Sequence, residues 1–187
     1  MIENFKRLEK KWVFKNVDKE TLIQNLISYN LHFRPHFKER FVNSIYFDNQ
    51  NLSFAEENLA GISNREKIRL RWYGPKSEIL TNPVLERKVK KNFQGFKETF
   101  VLKNFDNFYV NKKNVLEITK KINQILSGKN LHPITQVCYK RYYLISSDNK
   151  VRATLDVDLK YKKLKNFIQN FYVRSNDVIL ELKYSKN

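Results

Sequence analysis

Basic and large apolar side chains alternate along the stretch EKIRLRWYG, residues 66–74. Lys67, Arg69 and Arg71 stand at every second position, and apolar residues fill the positions between them. Because successive side chains of a strand point to opposite faces, this spacing predicts a strand with one cationic face and one apolar face. Like charges on one face repel one another, so the pattern indicates that an anion lies among them.

The same pattern recurs in five further stretches. The alternating residues are Glu9 and Lys11; Glu86, Lys88 and Lys90; Tyr139, Arg141 and Tyr143; Arg152, Thr154, Asp156 and Asp158; and Glu181 and Lys183. A single strand of this kind would simply expose its polar face to water. Six such strands predict a closed antiparallel sheet with a cationic interior. Such an interior is stable when a polyanion neutralises it.

Composition supports a polyanionic partner. The 187 residues include 36 Lys+Arg against 19 Asp+Glu, a formal charge of +17. An excess of this size favours nucleic acid, a phosphate-rich small molecule, inorganic polyphosphate or an anionic membrane. The 4 glycines form no Gly-rich phosphate loop, so Arg and Lys side chains would have to hold the phosphates.

Other features exclude whole classes of site. Cys138 is the only cysteine, which excludes a disulfide framework and a cysteine zinc cluster. His32, His36 and His132 lack metal-site spacing with it. The sequence shows no apolar run of membrane-span length, and its first residues do not resemble a signal peptide. We therefore expect a cytoplasmic protein without a membrane span of its own.

Three glutamates share strand parity with basic residues, namely Glu9, Glu86 and Glu181. For each one singly, charge balance inside the sheet is the simpler role. Together, beside a polyphosphate site, they are suitable ligands for Mg²⁺ or Mn²⁺. These ions typically bind one or two carboxylates plus substrate phosphates.

Periodicity and breaker residues predict the elements that position these side chains. We predict strands over 5–14, 42–48, 65–73, 83–91, 96–103, 134–146, 150–161 and 177–185, and helices over 18–30, 50–59 and 112–128. This order predicts an α+β fold, an eight-stranded antiparallel β tunnel with helices packed outside. We expect residues 1–187 to form a single domain.

Seven stretches resemble, in order, the VTC domain. They are RLEKKWVF (7–14), VNSIYFDN (42–49), ENLAGISNREKIRLRWYG (57–74), LERKVKK (85–91), YKRYY (139–143), VRATLDVDL (151–159) and ILELKY (179–184). The VTC domain is the catalytic domain of the vacuolar transporter chaperone polyphosphate polymerase and its bacterial relatives. It belongs to the triphosphate tunnel metalloenzymes, together with CYTH-type adenylate cyclases and thiamine triphosphatases.

The resemblance implies a tunnel open to a triphosphate, a Mn²⁺ or Mg²⁺ ion, and transfer of the γ-phosphate of ATP to a polyphosphate chain. It implies no covalent nucleophile, since a chain-terminal phosphate would attack in line. Carried over by position, the catalytic residues that grip phosphates are Lys11, Arg69, Arg71, Lys88 and Arg141. Further phosphate-binding residues are Lys67, Lys97, Tyr139, Arg152 and Lys183. The implied metal ligands are Glu181 and Glu9.

Two departures from the family pattern affect the expected activity. Members usually continue past the LELKY strand into a C-terminal helix with a Ser-Lys motif, whereas this sequence ends at Asn187. We therefore expect a more open tunnel. Position 7 is Arg and not the first acidic residue of the CYTH E-x-E-x-K pattern, which favours the VTC branch.

Several alternatives to a polymerase stay open at this point. A tripolyphosphate or nucleoside-triphosphate hydrolase would use the same residues with water as acceptor. A non-catalytic polyphosphate-binding module would keep the cations without metal-dependent turnover. RNA binding ranks lower, because a tunnel would hide the cations from a duplex, and we expect no specific nucleic-acid partner. Any link to a membrane would come through a membrane-protein partner.

Overall fold

The computed structural model describes residues 7–92, 94–164 and 171–185. Within these ranges the strands are β1 (Arg7–Phe14), β2 (Arg34–Asp48), β3 (Arg65–Tyr73), β4 (Val84–Lys91), β5 (Gln94–Val101), β6 (His132–Ile145), β7 (Val151–Lys163), β8 (Val173–Ser175) and β9 (Val178–Ser185). The helices are α1 (Lys19–Ser28), α2 (Ser53–Leu59) and α3 (Lys112–Ile125), with a short 3-10 turn over Lys103–Phe105.

The predicted fold class is confirmed: the described residues form an antiparallel α+β fold. Eight of these strands match the eight predicted ones, and two differences have a physical cause. β2 begins at Arg34, earlier than the predicted strand over 42–48. The prediction missed its first half because that half is exposed and has no apolar alternation. β8 has 3 residues, too few for a periodic pattern. Residues 5–6 of the predicted first strand lie outside the described residues.

The chain divides into two compact units. The first, here the N/C unit, contains Met1–Phe41, Tyr139–Lys160 and Arg174–Asn187. The second, here the central unit, contains Val42–Cys138 and Tyr161–Val173. The prediction of a single domain over 1–187 stays a prediction.

In the N/C unit, β9 lies between β1 and β7 and pairs antiparallel with both. The buried side chains Leu22 of α1, Leu155 of β7 and Leu180 of β9 belong to one apolar cluster. Asp18 begins α1 as predicted, because its carboxylate accepts a 2.7 Å hydrogen bond from the Thr21 backbone N–H. The apolar faces of α1, β7 and β9 are thus buried together, and the alternate positions of the strands face away from that core.

In the central unit, the strand order is β2-β3-β4-β5. Ile68, Leu70 and Trp72 of β3 are at most 1% exposed and share a core with Ile118 and Ile122 of α3. These contacts bury the apolar face of β3 with the helix, as the alternation predicted. Removing each such side chain from water contributes about 2 kcal/mol. The remaining face of β3 carries its three cations.

The aspartate of the YFDN stretch has a structural role. The Asp48 carboxylate accepts hydrogen bonds from the backbone N–H groups of Phe54 (3.0 Å) and Ala55 (2.8 Å). These donors belong to the first turn of α2, where helical partners are missing. Asp48 therefore fixes the start of α2 just after β2.

Candidate functional site

Three lysines of the central unit lie side by side across adjacent strands. Lys67 of β3 pairs in register with Lys88 of β4, which pairs in turn with Lys97 of β5. Adjacent strands are about 4.8 Å apart, and like charges directly opposite each other are destabilising. This exposed set, here called the lysine row, is therefore a surface suited to a polyanion.

A buried carboxylate holds three further cations of the same face. Glu86 Oε2 accepts a hydrogen bond from Arg69 Nε at 2.7 Å and forms an ion pair with Arg71 Nη2 at 3.0 Å, and Lys97 Nζ contacts Oε1. Glu86 is only 4% exposed. We call these four residues the Glu86 cluster. Three cations against one carboxylate leave two positive charges in excess.

Glu86 is ionised at neutral pH. Burial alone would raise its pKa, but the hydrogen bond from Lys97 and the charge of Arg69 outweigh burial and lower it. The carboxylate therefore fixes the guanidinium groups while cancelling only part of their charge.

Two tyrosine hydroxyls complete the fixation of the arginines. Arg69 Nη1 donates to Tyr46 Oη, and Arg71 Nη1 donates to Tyr73 Oη, each at 3.2 Å. Sequence reasoning missed both tyrosines. Tyr73 shares strand parity with Arg71 and was detectable on that ground, whereas Tyr46 becomes a neighbour of Arg69 only through the β2–β3 pairing.

The Glu86 cluster retains hydrogen-bonding capacity. Ser44 pairs in register with Arg71 across β2 and β3. Within the described ranges, the buried Ser44 Oγ and Arg71 Nε atoms have no hydrogen-bond partner. Arg71 thus offers a donor beyond those bonded to Glu86 and Tyr73.

The N/C unit contains a second arrangement, in which acids and bases alternate. Lys11 Nζ lies 3.1 Å from Glu9 Oε1 and 2.9 Å from Glu181 Oε2. Lys183 Nζ lies 3.6 Å from Glu9 Oε2 and 2.6 Å from Glu181 Oε1. Each of the four carboxylate oxygens therefore contacts one ammonium group. We call these four residues the Glu181 ring.

Glu181 and Lys11 of the ring are both charged at neutral pH. Burial tends to raise the pKa of Glu181, but the hydrogen bonds from Lys183 and Lys11 lower it to about 2. Burial tends to lower the pKa of Lys11, yet its contacts with Glu181 and Glu9 raise it. Two lysines and two glutamates thus balance one another.

The remaining predicted residues of the N/C unit lie on β6 and β7. Arg141 forms a bidentate ion pair with Asp156 at 2.5 and 2.6 Å, and its Cζ lies 5.2 Å from the centre of the Tyr139 ring. Burial opposes the charge of Arg141, but the bonds to Asp156 raise its pKa. Arg152 pairs in register with Lys183. Sequence reasoning assigned no role to Asp156, because its contact with Arg141 depends on β6 and β7 lying side by side.

The donor set of the ring fits the implied divalent cation. Glu9 and Glu181 supply hard carboxylate oxygens from adjacent strands. Thr154 pairs in register with Glu181, and its buried Oγ1 has no hydrogen-bond partner among the described residues. The described part of the chain holds no group of three or more His, Cys, Asp and Glu arranged for a metal. Water and phosphate oxygens would therefore complete the coordination of Mg²⁺ or Mn²⁺.

Comparison with known proteins gives a family match over almost the entire chain. The model of the VTC domain family matches residues 6–187. Among the described residues, no helix has the length and apolar character needed to cross a membrane.

Several solved structures are also similar to this chain. The PH1819 protein from Pyrococcus horikoshii OT3 is 11% identical with a TM-score of 0.50, over 97% of this chain and 78% of that one. A candidate adenylate cyclase from Vibrio parahaemolyticus is 9% identical with a TM-score of 0.49, over 96% and 76% of the two chains. Another from Bacillus halodurans is 15% identical with a TM-score of 0.48, over 97% and 83%. At this identity, the likeness to PH1819 concerns the fold alone.

Proposed function

The chain belongs to the VTC domain family, and from that premise we propose that it is a metal-dependent polyphosphate polymerase. It transfers the γ-phosphate of ATP to a polyphosphate chain. The observation that carries the proposal is the Glu86 cluster beside the lysine row, where the cations of one sheet face exceed their carboxylate counterions.

In this function the arginines orient the reacting phosphates. A guanidinium group binds phosphate oxygens in a planar, bidentate manner. Arg69 and Arg71 are each held by Glu86 and by one tyrosine. Their donors are therefore oriented before the substrate arrives, which is the arrangement that stabilises charge in a transition state.

The lysine row accommodates successive phosphates of the chain. Lys67, Lys88 and Lys97 carry exposed, flexible side chains on three adjacent strands. Each acts as a point charge without strict geometry, so the row tolerates different positions of a flexible polyanion. In the N/C unit, Lys11, Tyr139, Arg141, Arg152 and Lys183 are further phosphate contacts.

The transfer is an in-line displacement without a covalent enzyme intermediate. A terminal phosphate oxygen of the chain forms a bond to the γ-phosphorus, while the bond from that phosphorus to the β–γ bridging oxygen breaks and ADP leaves. Arg69 and Arg71 stabilise the charge on the transferred group. Glu9 and Glu181 would hold Mg²⁺ or Mn²⁺, which neutralises phosphate charge when bound.

The proposal is tested by incubating the purified protein with ATP and Mn²⁺ and recording phosphorus NMR spectra of the products. Internal phosphate signals of long chains, absent in EDTA, are the expected result. Orthophosphate as the sole product would replace the polymerase with a triphosphatase. Unchanged ATP, together with tripolyphosphate binding by calorimetry, would leave a binding module.

A further inference from the structure

Lysines occupy every carboxylate oxygen of the candidate metal ligands. Glu181 Oε1 and Oε2 lie 2.6 and 2.9 Å from Lys183 Nζ and Lys11 Nζ, and the two oxygens of Glu9 lie 3.6 and 3.1 Å from the same atoms. The Glu181 ring is thus closed by its own ammonium groups.

A divalent cation approaching this ring meets two obstacles. It must displace an ammonium group from each oxygen that it binds. It must also lie a few ångströms from two positive charges, and Coulomb repulsion at that distance is strong in a partly buried site. The side chain of Glu181 is 6% exposed, so a cation has little open approach to this carboxylate around the lysines, whereas Glu9 is 45% exposed.

The lysines are free to move in a way that the buried carboxylate of Glu181 is not. The side chains of Lys11 and Lys183 are 55% and 44% exposed. A lysine ammonium sits on a flexible stem and binds without fixed geometry. Phosphate oxygens brought close to the ring would therefore compete with Glu9 and Glu181 for the same ammonium groups.

We propose that Glu9 and Glu181 form a conditional divalent-cation site, which Lys11 and Lys183 keep closed until a polyanion draws their ammonium groups away. The inference rests on the proposed function and adds to it the order in which phosphate and the cation bind. Phosphate binds first, and this exposes the carboxylate oxygens to the cation. The two ligands then favour one another's binding, since coupling between two sites is reciprocal.

The Glu86 cluster supplies a matched comparison. Lys97 has the same exposed side-chain fraction as Lys183, 44%, and likewise contacts a buried glutamate. Glu86, however, also binds Arg69 and Arg71. Removing the Lys97 charge leaves Glu86 paired, whereas removing the Lys183 charge frees Glu181 Oε1.

The experiment measures Mn²⁺ affinity by electron paramagnetic resonance on phosphate-free protein. We expect Lys183→Met to bind Mn²⁺ at least about tenfold more tightly than wild type, because it removes one repelling charge. Lys11→Met should show the same gain, and Lys97→Met should show none. Adding Glu9→Gln to Lys183→Met should remove the gain, which assigns it to the ring.

Wild-type Mn²⁺ affinity in both Lys183→Met and Lys11→Met, with folding verified by circular dichroism, would overturn the inference. An equal gain in Lys97→Met would also overturn it, since the effect would then be a general loss of positive charge. Calorimetry with tripolyphosphate in EDTA examines the proposed function separately. A protein that fails to bind tripolyphosphate while Lys183→Met gains Mn²⁺ would refute that function and leave the closure of the ring by lysine in place.

Discussion

The Glu86 cluster and the Glu181 ring use similar residues and differ in charge balance. Three cations surround one carboxylate in the cluster, whereas two lysines face two glutamates in the ring. The cluster keeps a positive excess that only an added anion neutralises. The ring is neutral and has carboxylates to offer a cation. On this difference we propose that phosphate binding belongs chiefly to the central unit and metal binding to the N/C unit.

The largest expected effect is the loss of metal-dependent turnover, with phosphate binding retained, when the ring loses the charge of Glu181. Glu181→Gln should reduce Mn²⁺-stimulated phosphoryl transfer by about 10²–10³-fold, because a neutral amide is a poor ligand for a hard cation. Tripolyphosphate binding in EDTA should persist. Phosphorus NMR measures the turnover, and calorimetry measures the binding.

Glu98→Gln is the control for this variant. Glu98 is partly exposed and bonds Arg87 at 2.9 Å, apart from the Glu86 cluster. Its turnover should equal that of wild type. Undiminished metal-dependent turnover in Glu181→Gln would remove Glu181 from the site.

The second-largest expected effect is a loss of tripolyphosphate affinity when the Glu86 cluster loses an arginine. Arg69→Ala should weaken tripolyphosphate binding by about 100-fold with little loss of stability, because it removes charge-assisted hydrogen bonds from a fixed guanidinium. Calorimetry in EDTA measures the affinity, and thermal unfolding measures the fold.

Arg87→Ala serves as its counterpart on β4. Arg87 is also an ion-paired arginine, bonded to Glu66 at 2.6 Å and to Glu98 at 2.9 Å, but it lies at the opposite strand parity from Glu86. The Arg87→Ala variant should therefore bind tripolyphosphate with nearly the affinity of wild type. Equal losses in both variants would show that net charge, and not the cluster, governs binding.

A pH series tests the ionic role of the Glu181 ring without a ligand. The pKa of Glu181 falls from 4.5 to about 2 on folding, so its ionised form contributes about 3 kcal/mol to the free energy of unfolding. That contribution is complete above about pH 4.5 and is lost as pH falls toward about 2. Urea unfolding of wild type and Glu181→Gln should therefore differ most near neutrality and converge in acid. A difference that is independent of pH would contradict the ionic role of the ring.

The smallest expected effect concerns the tyrosine that Arg69 contacts. Tyr46→Phe removes one acceptor, the hydroxyl 3.2 Å from Arg69 Nη1, and keeps the ring. We expect about a fivefold loss of tripolyphosphate affinity, the value of one hydrogen bond. Tyr142→Phe, on β6 of the N/C unit, is the control and should leave the affinity unchanged. An unaltered affinity in Tyr46→Phe would mean that Glu86 alone orients the guanidinium.

The sequence was sufficient for features that repeat within one strand. The alternation in β3 predicted that Ile68, Leu70 and Trp72 would be buried and that the three cations would lie on the other face, as the structure has them. The Asp18 cap of α1 was visible for the same reason, since a cap and its helix are adjacent in the chain.

Features that depend on strand register could not be predicted in this way. Tyr46 contacts Arg69, and Asp156 contacts Arg141, only because separate strands pair as they do. A shift of one residue would turn each of these side chains to the other face. The central place of Glu86 among three cations has the same origin, because one cation comes from β5 and two from β3.

The clamping of the two arginines also determines when their conformational entropy is lost. Arg69 and Arg71 have side chains only 12% and 15% exposed and are fixed by Glu86 and a tyrosine each. Their rotamers are thus restricted during folding, and little freedom remains to be lost when a phosphate binds. The lysines of the row are exposed, and their long side chains keep more rotamer freedom until they bind. Affinity gained through the arginines should therefore carry a smaller entropic penalty than affinity gained through the lysines.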